Sequence, residues 1–310
     1  MISDKIYLRP NSVKEALEIA QDHSDDFCFL AGGTDVMVNR FQGNETSSCI
    51  IDLTGITEWN QVKIIPDKYL SIGPLVKLDE LNNFEAIRNE FPVLIEAAKS
   101  VGSPLIRKTA TLGGNILCEN RCIFYNQSEW WRESVGYCLK CDGSVCIATG
   151  SKKHCYSEFV SDTAPALISL DAMIEIIDED GERLMKLEDI YSGDGTNPKI
   201  LKKASLIKSI LLPLNNQFRS VFKKLRLRKS LDFTSLTTAV TVNANGRLKI
   251  AVGGVDPKPV VIEGTVNSDL EELIVYVLKK SRAIDNEMFT RKYRRDMIRV
   301  FLTQSFETLL

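Results

Sequence analysis

Cys118, Cys122, Cys138, Cys141, Cys146 and Cys155 are six of the chain's eight cysteines, and all fall in the stretch 118–155. That stretch also holds Tyr125, Trp130, Trp131, Gly136, Tyr137, Gly143 and Gly150, and little continuous apolar sequence. Thiolates are soft donors that select zinc or an iron–sulfur cluster, and four complete either site. Cys118/Cys122 and Cys138/Cys141 have the close spacing of zinc ligands, whereas Cys146 and Cys155 are spread out, so spacing leaves the metal open. So dense a group of unliganded thiols would be an oxidation hazard. His154, beside Cys155, reads as a surface residue.

Two pairs of glycines carry a second possible chemistry. In LAGGTD, Leu30 to Asp35, Gly32 and Gly33 follow an apolar strand, and in TLGGN, Thr111 to Asn115, Gly113 and Gly114 sit between polar residues. Such turns expose backbone N–H groups that can cradle an anion such as pyrophosphate. Neither matches G-x-G-x-x-G or the P-loop pattern. Each alone reads as a plain turn, but two in one domain point to a shared phosphate-bearing ligand.

The bulk numbers narrow the partners. Lys plus Arg total 39 against 41 for Asp plus Glu, a net charge of -2, so no basic excess argues for nucleic acid or an anionic membrane. MISDKIYLRPNSVKEALEIA lacks the long apolar core of a signal peptide, and no run of about 18 apolar residues occurs. A cytoplasmic location is therefore expected, where disulfides are uncommon and a cysteine group is better read as metal-binding or catalytic.

Positioning these residues requires an α+β chain of about two domains. Ile6 to Arg9 predict a strand and VKEALEIAQ a helix with Ser12 as N-cap; FCFLAG and CIIDLT predict two more strands around a helical turn at Val36 to Arg40. Residues 1 to 55 thus spell a small parallel α/β unit. A hairpin is expected between Gln61 and Leu78, then two helices broken at Pro92, and after the cysteines a helix over DTAPALISL. AMIEIIDEDGERLMKL reads as a hairpin turning at Asp180-Gly181, LIKSILLPL as an exit strand, and Pro213-Leu214-Asn215-Asn216 as a boundary. Beyond it, residues 217–310 read as a smaller α+β domain, with an antiparallel sheet turning at Asn245-Gly246 and mainly helix from Leu270.

With these segments in view, the chain resembles the flavin subunit of the molybdenum hydroxylase family, the group of xanthine dehydrogenase and aerobic CO dehydrogenase. YLRPNSVKEALEIA, FLAGGTDVMV, IIDLTGI, LSIGPLVKLDEL, FPVLIEAA, IRKTATLGGNI, SDTAPALISLDAMIEI and LKIAVGGV stand in the family's order nearly end to end. The insertion with NRCIFYNQSEWW and YCLKC resembles one branch, the flavin subunit of 4-hydroxybenzoyl-CoA reductase, whose insert carries a 4Fe-4S cluster. The resemblance implies a two-part FAD-binding domain of the PCMH type over 1–213, with subdomains of about 1–55 and 56–213 and an insert of about 118–158. A C-terminal domain of the CO dehydrogenase flavoprotein type would follow over 217–310.

It also implies roles. Ala31, Gly32, Gly33, Thr34, Asp35 and Val36 match the first FAD loop; Thr111, Gly113, Gly114 and Asn115 match the second. Asp162 matches an acidic residue near the flavin's ribityl and phosphate region, and Lys223 a basic residue approaching the ring. Cys122, Cys138, Cys146 and Cys155 match the cluster ligands best, with Cys141 as the rival and Cys118 as a spare. No catalytic residue is implied, because substrate binds on another subunit. The chain offers neither a molybdenum site nor plant-type 2Fe-2S spacing, so the expected partners are a molybdopterin-binding large subunit, a 2Fe-2S small subunit and a ferredoxin-like carrier or NAD. Two alternatives stand beside this: a xanthine- or aldehyde-type flavin subunit with NAD as acceptor and an insert that binds zinc or nothing, and a regulatory module without cofactor.

His23 and His154 are the only histidines, and neither lies in LAGGTD or TLGGN. The flavin is therefore expected to be noncovalent: acid precipitation should release all yellow chromophore into solution, and colour kept in the pellet would overturn this.

Overall fold

The first helix starts where its cap dictates. The Ser12 hydroxyl accepts the N–H of Glu15 at 3.2 Å and opens α1 (Val13–Asp22), whose Ala16 and Ala20 are buried. In the computed structural model, which describes residues 5–66, 68–214, 216–228 and 231–310, α1 covers a parallel sheet. Its strands β1 (Ile6–Leu8), β2 (Phe27–Leu30) and β3 (Cys49–Asp52) lie in the order β1-β3-β2, with α2 (Val36–Phe41) in the crossover from β2 to β3.

A second sheet is wholly antiparallel, in the order β4-β5-β8-β6-β7, from β4 (Val62–Ile65), β5 (Tyr69–Ile72), β6 (Met173–Asp178), β7 (Gly181–Lys186) and β8 (Leu206–Pro213). The strand read as an exit is its centre: β8 joins the two hairpins. Asp67 in the first hairpin's turn and Asn215 in the expected boundary lie outside the described residues. Between the hairpins come α3 (Glu85–Glu90), α4 (Pro92–Ser100), α5 (Pro104–Arg107), α6 (Leu112–Ile116), α7 (Glu129–Ser134) and α8 (Thr163–Ser169). Pro92 opens α4 at a position that needs no N–H donor, which is why the helical pattern breaks there.

The third sheet, β9 (Arg219–Leu225), β10 (Leu236–Val242), β11 (Arg247–Gly253) and β12 (Val260–Thr265), is an antiparallel meander followed by α9 (Leu270–Lys280) and α10 (Arg291–Leu309). Strand β10 is buried along its whole length. Helix α8 packs against it as well as α10, so even its three threonines, Thr237, Thr238 and Thr241, are buried, with protein on both faces of the strand. All seven residues of α8 are buried at this junction. Among the described residues no helix is long and apolar enough to cross a membrane.

The cysteine segment leaves and re-enters the fold at one point. Arg121 and Glu158 pair as an isolated antiparallel bridge, with N–H···O distances of 2.9 and 2.7 Å in the two directions. The third unit clasps this neck: Asn120 donates to the carbonyls of Ser157 and Pro257, Asn286 to that of Tyr156, and the fully buried Arg294 to the Glu158 carboxylate and the Gly254 carbonyl. Removing Arg294 would strand a buried carboxylate. Arg294→Leu should therefore destabilise the protein by about 3–5 kcal/mol, while Arg294→Leu with Glu158→Leu should recover most of the loss. Urea midpoints check this, and a wild-type midpoint for the single variant would refute it.

Candidate functional site

The two glycine pairs face one another because their backbones touch. A Cβ on Gly32 would lie 2.1 Å from the Thr109 carbonyl oxygen and 2.9 Å from Ala110 Cα, so only glycine lets the first loop lie against the chain entering the second. Gly33 has φ +71, a left-handed turn that re-aims the chain into α2. The second pair is not an open loop. Thr111 caps α6, its hydroxyl accepting the Gly114 N–H at 3.1 Å, and Gly113 packs on Pro74, where a Cβ would come within 2.7 Å. The signal was a threonine three residues before a glycine, an N-cap spacing that the glycines obscured.

Between these backbones lies a cavity of about 480 Å³, within the usual range of small-molecule sites. Ala31, Gly32, Gly33, Thr34, Asp35, Val36, Thr111, Gly113, Gly114, Asn115 and Asp162 all line it. Trp59 and Leu206 contribute apolar walls, and Phe233 reaches in from the segment after β9. The Asn115 side-chain oxygen accepts from Ser161 Oγ, Thr163 N and Thr163 Oγ1, which fixes the start of α8 against the second glycine pair.

Lys223 does not line this cavity. Successive strand residues point to opposite faces, and its neighbour Lys224, though not on the cavity wall either, is the one turned toward Asp162. Lys224 Nζ donates to Asp162 Oδ2 at 2.6 Å, to the Ser100 carbonyl at 3.0 Å and to the Asp232 carbonyl at 3.1 Å. Both partners of the ion pair are buried. Burial pushes the Asp162 carboxyl above its usual range, opposed by the Lys224 charge. Sequence placed a lysine here but not its strand phase.

A second, smaller cavity sorts the cysteines. Cys122, Cys138, Cys146 and Cys155 line it, together with Tyr125, Lys140 and Tyr156. Cys118 lines the larger cavity instead. Cys141 is a neighbour of Cys138, with their sulfurs 3.5 Å apart, and is not on the cavity wall. All eight cysteines are free thiols. Burial pushes the Cys122 thiol up to about 12 and raises that of Cys155. Among the described residues no three His, Cys, Asp or Glu side chains stand around a single point at ion-binding distance.

Asp35 joins the two cavities, a connection the sequence did not signal. Its carboxylate accepts the Glu119 N–H at 2.9 Å and pairs with the Arg121 guanidinium, which lies 4.7 Å from the centre of the Phe233 ring. Thus a residue of the first glycine loop holds the neck of the cysteine segment.

The different surroundings of the glycines predict different tolerance. Gly32→Ala must separate two backbones and should weaken flavin retention about tenfold or more, since overpacking of this kind costs about 1–3 kcal/mol. Gly114→Ala meets only the Thr111 hydroxyl, at 2.9 Å, and should keep its flavin. Absorbance per protein after gel filtration measures both, and equal loss would show that the close approach is not what matters.

Residues 2–215 match the family described as the FAD binding domain in molybdopterin dehydrogenase. The FAD-binding subunit of aldehyde oxidoreductase from Escherichia coli strain K12 is 30% identical over 83% of this chain and 83% of its own. The medium chain of glyceraldehyde dehydrogenase from Sulfolobus acidocaldarius is 22% identical over 97% and 96% of the two chains. Among solved structures, a chain of reconstituted CO dehydrogenase from Oligotropha carboxidovorans superposes with a TM-score of 0.78 at 19% identity, over 99% of this chain and 98% of that one. With the family model spanning both glycine loops and the cavity wall from β2 to β8, to which only the segment after β9 adds, the chain belongs to the FAD-binding subunits of the molybdopterin dehydrogenases, and is an oxidoreductase subunit.

Proposed function

We propose that the protein is an electron-transfer subunit with two redox sites, FAD between the glycine loops and a 4Fe-4S cluster held by Cys122, Cys138, Cys146 and Cys155, closest in kind to the flavin subunit of 4-hydroxybenzoyl-CoA reductase. It would work in the cytoplasm within a complex whose molybdopterin-binding large subunit carries the substrate site, with a 2Fe-2S small subunit and a ferredoxin-like external carrier. Residues 1–213 would serve as the flavin-binding domain and 217–310 as the smaller domain, a division supported by the apolar core that the third sheet forms with α9 and α10 alone.

The observation that carries the reading is the sorting of the thiols: the four cysteines proposed as ligands face one cavity, and the two spares do not. The donor set fits. Four thiolates supply the donors that a four-iron cluster needs, one to each iron. FAD exchanges electrons in pairs or singly and such a cluster singly, so together they join two-electron chemistry to one-electron carriers.

The chain's own residues do the placing. Gly32 and Gly113 would bring two backbones to the flavin, Asp162 would face it with Lys224 buried behind as its counter-charge, and Asp35 ties the insert to the first loop. The four peptide steps from Cys118, on one cavity, to Cys122, on the other, span at most about 14 Å. Short separation is thereby built into the chain.

A second reading takes support from the likeness to an aldehyde oxidoreductase FAD-binding subunit: an aldehyde-type dehydrogenase with NAD as acceptor and zinc or no metal in the insert. Anaerobic purification with iron, acid-labile sulfide, zinc and flavin assays separates the two. About four irons per flavin are expected, lost from Cys122→Ala, Cys138→Ala, Cys146→Ala and Cys155→Ala but kept in Cys118→Ala, with flavin in every variant. Zinc in place of iron would overturn the two-site reading, and iron lost on Cys141→Ala but kept on Cys138→Ala would reassign that ligand.

A further inference from the structure

The wall of the cysteine cavity is apolar except at one place. Among the described residues that line it, Lys140 alone carries a charge. Its side chain keeps 3% of its exposure, and Nζ lies 5.0 Å from the centre of the Tyr125 ring. A cation so buried must be held by partners. Lys140 Nζ donates to Glu119 Oε1 at 2.5 Å and to the Gly195 carbonyl, while the other Glu119 oxygen meets Lys199 Nζ at 3.6 Å. The Glu119 backbone N–H is the group that Asp35 accepts, so this charge network begins at the first glycine loop and ends at the thiols.

Nothing in the flavin cavity requires Lys140. It belongs to the insert, between Cys138 and Cys141, and its ammonium binds the carbonyl of Gly195, a glycine so close to the Cys155 sulfur that a Cβ there would come within 2.8 Å of it. A fixed positive charge beside a redox centre favours the form carrying one more electron, and away from water that influence is little screened. Charge, hydrogen bonding and exposure around a cluster are what set its potential. We propose that Lys140 sets the reduction potential of the group bound by Cys122, Cys138, Cys146 and Cys155, raising it, and that Glu119 positions Lys140 and offsets part of its charge. This rests on the reading of the insert as a cluster site. One electron enters the cluster from the reductant, no bond changes at Lys140, and no proton moves.

The two residues therefore predict shifts of opposite sign. The full-length protein, purified anaerobically, is titrated with dithionite at controlled potentials and followed by EPR, beside iron and flavin assays on each sample. At a fixed potential, Lys140→Met is expected to lower the ratio of reduced to oxidised cluster about tenfold, about 59 mV for a one-electron couple. Glu119→Gln is expected to raise it, and Lys140→Arg, which keeps the charge, to stay near wild type. Iron and flavin contents should be equal in all four proteins. An unmoved potential in Lys140→Met with full iron would overturn the inference and leave the cluster standing, as would a shift in the same direction for both charge-removing variants. Iron lost from Lys140→Met would make the residue a structural support and overturn it too. Wild-type protein without iron would remove the reading and the inference together.

Discussion

A line of ion pairs across the neck of the cysteine segment ties the first unit, the insert and the last helix together. Asp35 of the first unit pairs with Arg121, Arg121 bridges through its backbone to Glu158, and Glu158 pairs with Arg294 of the last helix. Glu158 and Arg294 are taken out of water and Arg121 nearly so, which is tolerable only because each partner comes from a different part of the chain. Burial pushes the Glu158 carboxyl up to about 8 against the pull of Arg294. The stability gained from such pairs is small, but the penalty for misplacing any member is large, so the network selects a single arrangement of insert, flavin cavity and third unit.

That arrangement explains why the cavities are neighbours. The insert leaves the fold directly after α6, the helix that carries the second glycine pair, and returns directly before α8, whose preceding residue Asp162 lies on the same cavity wall. Both ends of the insert are therefore anchored to elements that line the larger cavity. An excursion of this length elsewhere on the surface would carry its thiols away. Closed at Arg121 and Glu158, it keeps Cys122 and Cys155 next to the neck, and α7 packs back on the first unit where Arg132 donates to the Gln42 carbonyl at 2.7 Å.

The third sheet contributes one side of the flavin cavity without building it. Lys224 reaches across from β9 to Asp162, and Phe233 enters the wall while its ring lies beside Arg121. Phe233 thus touches both the larger cavity and the neck, and a change in one has a short physical route to the other.

How much of this was legible beforehand follows from which interactions are local. Capping, turn chemistry and apolar periodicity act within a few residues, so α1 with its Ser12 cap, the hairpin at Asp180-Gly181 and the turn at Asn245-Gly246 are written in the sequence itself. The clustering of cysteines and the two glycine pairs are equally visible. Which thiols share a cavity is not, because Cys138 and Cys141 differ only in the direction a short turn gives their side chains. The phase that brings Lys224 rather than Lys223 to Asp162 depends on the register of β9 against β10, a pairing made by distant residues. Asp35 stands out in a linear reading only as part of a glycine loop, and Glu119, Arg121 and Lys140 read there as ordinary surface-type residues. Only folding buries them together, and in a low-dielectric interior their charges acquire the partners that no local pattern could assign.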